Sequence, residues 1–493
     1  INSAKKFDIN AGKLFIIKAG KTLTVNGPID NSSGIAGFVL KSDNKGTASL
    51  IHNTDNVPAT VERYITGVAE DWHFLSTPVS DQEITGSWLP SGTYGNGTGY
   101  DLYVWNEPTS CWIYKLNLTS PVNWNTVHPD TNFNVGRGYL YSVQATNPSK
   151  EFAGKLNNGS IDYPLTIGTI IDSLRGFNLV GNPYPSSIDW AASSGWMRSL
   201  LVNSNDGYDM WIWNPAANNY GAYNSSDADG VGTNSVTRYI APTQGYFVRA
   251  ASAGNMSTSN PVRVHSTASW FKLKDEYVNR VSLVVNSDAG YGFDEVRLSF
   301  GNFQNENGAM KLFSHVLAAP SLFMPNQNGN FSVQYFTNTS ENPVVPISFT
   351  PGIDGNYTFN CNFDLDKFDI VMLEDLQTHY IQNMKYRNTY NFKALKKDDP
   401  NRFVLYFGPD QNHSGKDIPG RIYSDGVHLI VDLSLVPEET EVFVYDVLGR
   451  LLLQQKLQGK IVHQLDMNPD TQILICYLKN TNGSLCKKLY FSN

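Results

Sequence analysis

With 493 residues, 41% of them hydrophobic, the chain is too long for one core and has material for about three domains. Thirty-seven basic against 45 acidic residues leave a net charge of −8, spread rather than blocked. That balance excludes a phosphate-backbone binder, and so a nucleic-acid partner. No run approaches the roughly 18 apolar residues of a membrane-spanning helix, so no transmembrane segment is expected.

Composition leans to β structure. There are 26 Tyr, 25 Phe and 40 Gly, and short alternating runs are punctuated by Gly, Pro, Asn and Asp. The fold class predicted is all-β and multidomain. The chain opens at Ile1 without a charged-then-apolar leader, which fits a mature protein whose signal is gone, or a trimmed start.

Residues 1–66 carry an echo, "AGKLFIIK" at 11–18 and "AGKTLTVN" at 19–26. Each unit joins a Gly turn to a short apolar strand, the pattern of stacked rungs in a β-solenoid-like segment. The next region is duplicated. "WHFLSTPVS" (72–80) matches "FNLVGNPYPSS" (177–187), "YDLYVWNEP" (100–108) matches "YDMWIWNPA" (208–216), and "GRGYLYSV" (136–143) matches "TQGYFVRA" (243–250). The offsets of 105, 108 and 107 are nearly constant. Two β-rich units, 67–160 and 161–261, are therefore expected to pack as a pseudo-twofold pair. "SSIDWAASSGWMRSLL" in the second has capping residues and helical apolar spacing, and predicts a helix.

Separate strands such as "RVSLVVNS", "EVRLSF", "VPISFT" and "RFVLYFG" predict a β-sandwich over 262–409. Between them, "NENGAMKLFSH" reads as a loop or one helical turn. After a polar linker, 417–493 outlines a smaller Ig-like sandwich. Cys476 and Cys486 flank the turn "NTNG" there and would face each other only in one register. None of the four cysteines has CxxC spacing, so zinc is a poor fit.

The terminal sandwich contains "VYDVLGR", with Tyr445, Asp446, Gly449 and Arg450, and then Lys487 and Lys488 before its last strand. On these residues it resembles the C-terminal sorting domain of type IX secretion in Bacteroidota. The upstream segments "GNPYPSSIDW" and "KLFSH" to "APSLF" are similar to surface proteins of that phylum. The resemblance implies delivery to the outer surface or the medium, with the secretion machinery as a partner of the terminal module. Asp172-Ser173-Leu174 also matches a short O-glycosylation pattern of the phylum.

Chemistry-bearing motifs are missing: there is no HExxH, GxSxG, Walker loop or Rossmann fingerprint. "GNGTG" (95–99) lacks the spacing and the following helix, and reads as a surface turn. Asp101 and Asp209 are equivalent in the duplication, so they make one contact twice more readily than they form an acid–base pair. Asp227 and Asp229, in "DADG", are the weak calcium candidates, short of a full loop; no other cofactor is expected. The alternating "DLDKFD" (364–369) suggests one solvated strand face.

Tryptophan is the most informative residue, with nine of ten between 72 and 213. In "YDLYVWN", Leu102 and Val104 point one way, Tyr103 and Trp105 the other; Met210 and Ile212 likewise oppose Trp211 and Trp213. The aromatic faces are either packed core between lobes or exposed platforms for sugar rings, and periodicity leaves both open. The reading that follows is a secreted or surface-displayed, adhesin-like protein that binds glycans or glycoproteins through Tyr103, Trp105, Trp112, Trp211 and Trp213. A hydrolase of extracellular polymers, acting in a cleft between the lobes, and a structural surface-layer or filament component are the alternatives.

Overall fold

Alternating β-branched and aromatic runs favour strands, and the computed structural model of the chain is all-β, with one short α-helix, Val122–Val127, among the described residues. It describes residues 2–4, 6–89, 101–115, 122–170, 172–226, 230–266, 279–337, 343–364, 370–378, 380–385, 387–408, 420–424, 428–446, 450–467, 473–480 and 484–490. Two units divide the chain: Ile1–Asp275 with Asn307–Val316, and Glu276–Glu306 with Leu317–Asn493. The first unit thus reclaims a short strap, 307–316, from within the sequence of the second.

The first unit begins as a parallel solenoid. Phe15–Ile17 lies beside Phe38–Leu40, which lies beside Pro58–Tyr64. Phe7–Ile9 pairs with Ile29–Asn31, and Thr22–Val25 sits between Asn2–Ala4 and Ser49–His52. Ile9, Ile17, Val25, Leu40 and Leu50 fill the interior, none more than 5% exposed. The eight-residue echo is not the rung period. Its two strands are successive sides of one coil, and the coil recurs from Phe15 to Phe38. What the echo repeats is the corner: Gly12 and Gly20 sit at φ of 71° and 67°, where glycine alone bears no Cβ penalty.

Pro58–Tyr64 also pairs antiparallel with Ser149–Leu156, which welds the solenoid to the first lobe. That lobe's sheet runs Trp72–Leu75, Tyr139–Ser142, Leu102–Asn106, Cys111–Lys115. The second lobe's sheet begins Phe177–Gly181, Gly245–Arg249, Gly207–Asn214, Asn219–Asn224, the same order of equivalent strands.

The lobes meet about a local twofold. The Ser76 amide donates to Thr243 O at 2.9 Å, and the Gly181 amide to Gly136 O at 2.9 Å. Bridges join Leu75 to Gln244 and Arg137 to Val180. Under the repeat offsets each pair is one contact made twice, the mark of an isologous interface. The "GNP" turn is held by Asn182, whose Nδ2 donates to Ser186, Ile240 and Ala241 carbonyls while its Oδ1 accepts from the Tyr184 amide.

The helix expected over 186–201 does not form. Ser187–Asp189 joins Tyr239–Ile240 and Arg263–Val264, and Trp196–Met197 joins Gly254–Thr258. Its apolar residues serve tertiary pockets instead of a helical face. Trp190 is fully buried and donates from Nε1 to Tyr208 O. Asp189 takes a bidentate bond from Arg238, and Gly195 turns the chain at φ 92°.

In the second unit, a five-stranded sheet from Val333–Thr337 to Thr389–Ala394 and a six-stranded sheet from Gly329–Phe331 to Tyr380–Asn383 enclose one core. "NENGAMKLFSH" forms no helical turn: from 307 on it is the strap of the first unit. The first unit also keeps Arg263–Val264, so it continues past the expected start of the sandwich at 262.

The terminal segment is a three-stranded sheet facing a four-stranded one, Leu451–Leu457, Thr440–Asp446, Ile473–Lys479 and Ser484–Tyr490, with its own core. Register sets Cys476 opposite Lys487 and Cys486 opposite Tyr477. The two cysteines are therefore out of step by one residue in the pairing.

Candidate functional site

The pleat sends alternate residues of Leu102–Asn106 to opposite sides, and Leu102 and Val104 are buried as core. Tyr103 and Trp105 share the other face with Trp112 and Tyr114 of the neighbouring strand, register pairing Tyr103 with Tyr114 and Trp105 with Trp112. The Trp105 and Trp112 rings lie 5.2 Å apart.

From there the rings separate into two groups. Trp105 and Trp112 reach into the lobe interface and pack edge-on against Phe247, at 5.7 and 6.1 Å. Trp105 Nε1 donates to Phe177 O at 2.6 Å, crossing between the lobes. Glu107, just beyond, is buried, and its Oε1 accepts from the Gly168 and Gly176 amides at 2.8 and 2.7 Å. This half of the aromatic face adheres between lobes, although both indoles are half-buried and Trp112 also lies 5.8 Å from Trp72 of the outer group.

Tyr103, Tyr114 and Trp72 form the outer group. Tyr103 stands 6.4 Å from Tyr114 and 6.4 Å from Trp72. Tyr114 is 40% exposed, while Tyr103 and Trp72 are half-buried. The strip ends where His315, from the strap, stacks on the Trp72 indole at 3.6 Å and 17°.

The second copy has a different fate. Trp211 and Trp213 are 1% and 3% exposed, so they are packing residues here rather than an open platform. The strap covers them: Trp211 Nε1 donates to Met310 O at 2.8 Å, and the Trp213 ring lies 4.4 Å from His315. Ala309 and Leu312 of the strap are buried, and Ser314 Oγ donates to Asn218 O at 2.6 Å. Burial of large indoles removes much apolar area from water, and a cover of this kind does so for the second lobe. Nothing in the sequence signalled the strap, because its burial is entirely tertiary.

The duplicated carboxylates do not converge on a cleft. Asp101 and Asp209 are 2% and 4% exposed, each inside its own lobe. Asp209 accepts from Asn224 Nδ2 at 2.6 Å, and burial pushes its pKa up to about 7. Buried imidazoles behave oppositely. Desolvation first, then Arg63, pulls His73 down to about 3; desolvation, then Arg137, pulls His128 to about 4.

Among the described residues, no group of three His, Cys, Asp or Glu could hold a metal ion. Asp227 and Asp229 lie outside the described residues, as do "GNGTG" and residues 365–369 of "DLDKFD". Also among the described residues, no helix is long and apolar enough to cross a membrane.

In the terminal module, Asp446 is fully buried. Its Oδ1 accepts from the Arg450 amide at 2.9 Å and its Oδ2 from Arg450 Nε at 2.5 Å, while the Asp446 amide donates to Arg450 O. The motif residues Asp446 and Arg450 thus tie the end of one strand to the start of the next. Tyr445 is half-buried, Lys487 half-buried and Lys488 exposed on the edge strand; Gly449 lies outside the described residues.

Residues 1–288, more than half of the chain, match a family described as Domain of unknown function (DUF8693). The chain belongs to this family. The DUF8693 stretch takes in the solenoid and both lobes, with the whole aromatic strip except His315, and stops short of the strap. No curated protein matches the chain.

Proposed function

We propose that this DUF8693 protein is a secreted or surface-displayed binding protein, adhesin-like, whose first lobe recognises glycans or glycoproteins. The observation that carries the reading is the asymmetry between copies: Trp211 and Trp213 are sealed, while Tyr114 is exposed and Tyr103 and Trp72 are half-buried. Flat rings in a row offer apolar faces to the C–H faces of sugars, and aromatic side chains dominate recognition surfaces at low entropic cost. The terminal module, with its Asp446–Arg450 clamp, serves in this reading as the part that the secretion machinery handles.

A glycan array probed with the full chain tests the reading, beside Tyr114→Ala and Tyr103→Ala variants whose unfolding transitions match the parent. Binding that falls at least tenfold in both variants supports it. No glycan bound by the parent, or binding untouched by both changes, refutes it.

A further inference from the structure

We propose that the slot between Trp72 and Trp213, filled here by the His315 ring, is a second carbohydrate position continuous with the open strip, and that residues 313–316 are its removable plug. The inference rests on the glycan reading above and adds a site, a ligand class and a gate to it.

The slot is built by both lobes. Trp72 and Trp213 come from different copies, yet each presents its ring to the same imidazole, at 3.6 Å and 17° and at 4.4 Å and 40°. Two indoles packed on one flat ring make an aromatic seat of the kind that a pyranose ring stacks on.

A second observation points to an absent ligand. Trp213 Nε1 is buried and has no hydrogen-bond partner. Its equivalent in the first copy, Trp105, donates to Phe177 O. A buried donor left unsatisfied is costly, and native interiors rarely retain one. The strap brings an aromatic ring to the slot but no acceptor for that N–H; a sugar hydroxyl stacked in place of His315 would bring both.

The strap is unevenly held. Its first half is anchored, with Ala309 and Leu312 buried and the Asn307 and Met310 carbonyls accepting from Asn205 and Trp211 side chains. Its second half lies at the surface: Phe313 is 42% exposed, and His315 is exposed beside its ring contacts. Lifting 313–316 breaks the Ser314–Asn218 bond, the His315 contacts with Trp72 and Trp213 and the interaction that Phe313 makes, and leaves the Asn307 and Met310 anchors seated. Burial lowers the His315 pKa to about 4, so the ring that fills the slot is neutral near pH 7 and a neutral sugar can take its place.

The test uses the full chain titrated with cellohexaose, chitohexaose and mannohexaose by calorimetry, with acrylamide quenching of tryptophan as a second readout. A Ser314→Ala/His315→Gly variant should quench more readily and bind the preferred oligosaccharide about tenfold more tightly. Adding Trp213→Phe, which keeps a ring but removes the N–H, should cancel most of that gain. The inference is overturned if the loosened variant quenches more readily yet binds no tighter, or if Trp213→Phe leaves the gain intact. Loss of binding in Tyr114→Ala with no effect of loosening would leave the open strip standing and remove only the plug. Absence of binding in every variant would remove both.

Discussion

Ser76 and Gly181 are equivalent positions of the two copies, and they touch each other at the local twofold. A Cβ built on Gly181 would lie 2.2 Å from Ser76 Cβ and 2.3 Å from its Oγ. Residues on such an axis meet their own counterparts, so one of the two must be very small.

Gly181→Ala should therefore force the lobes apart locally and destabilise the first unit by about 1–3 kcal/mol, the usual cost of overpacking. Ser76→Gly in the same chain should restore most of that loss. Calorimetric scanning of the first unit's transition checks both, and a double variant as unstable as the single would refute the axial contact.

Acid should weaken the first unit. His52 and His128 are pulled down to about 4 and His73 to about 3, chiefly by burial. The unfolded chain takes up these protons near pH 6.5 and the native state does not. Stability is thus complete above pH 6.5 and is lost as pH falls toward 4, by about 2 kcal/mol per histidine at pH 5.

Asp209 works the other way, since its folded pKa of about 7 lies above the unfolded value of 3.8. It returns about 2–3 kcal/mol between pH 7 and 5, less than the three histidines together remove. The first unit should melt at lower temperature at pH 5 than at pH 7. His73→Gln should flatten that dependence and Asp209→Asn should steepen it.

Asp446→Ala should loosen the junction of the strands Thr440–Asp446 and Leu451–Leu457 and cost the terminal module about 1–3 kcal/mol, because the Arg450 amide loses its acceptor. Arg450→Ala should cost less, since its side chain is 69% exposed and exposed ion pairs contribute little. Amide hydrogen exchange of the strands Thr440–Asp446 and Leu451–Leu457, in chains carrying each change, would reveal a reversed order.

A chain ended at residue 275 lacks the strap and should bare Trp211 and Trp213. Red-shifted tryptophan emission and concentration-dependent association are expected, both reversed by adding a peptide of residues 307–316. Emission identical to that of the full chain would mean that the strap shields nothing.

Much of the fold was legible because alternation reports strands directly, and because "YDLYVWN" and "YDMWIWN" repeat at a constant offset with their neighbours. The coil period was hidden because Gly12 and Gly20 mark corners, and corners outnumber coils. Residues 186–201 mimic a helix since Ile188, Ala192, Trp196 and Leu200 recur every four residues, although Ile188 and Trp196 belong to different sheets. The site was half legible. Tyr103 and Trp105 share a face as the pleat demands, but which rings meet water depends on the strap, a partner distant in sequence that no local pattern announces.

Because 307–316 is encoded inside the second unit, the first cannot be finished when its own last strand leaves the ribosome. Residues 276–316 must also be translated before Trp211 and Trp213 gain their cover. Through that interval the nascent chain carries a bare indole pair, a natural docking point for chaperones and the moment at which misassembly between neighbouring chains is easiest.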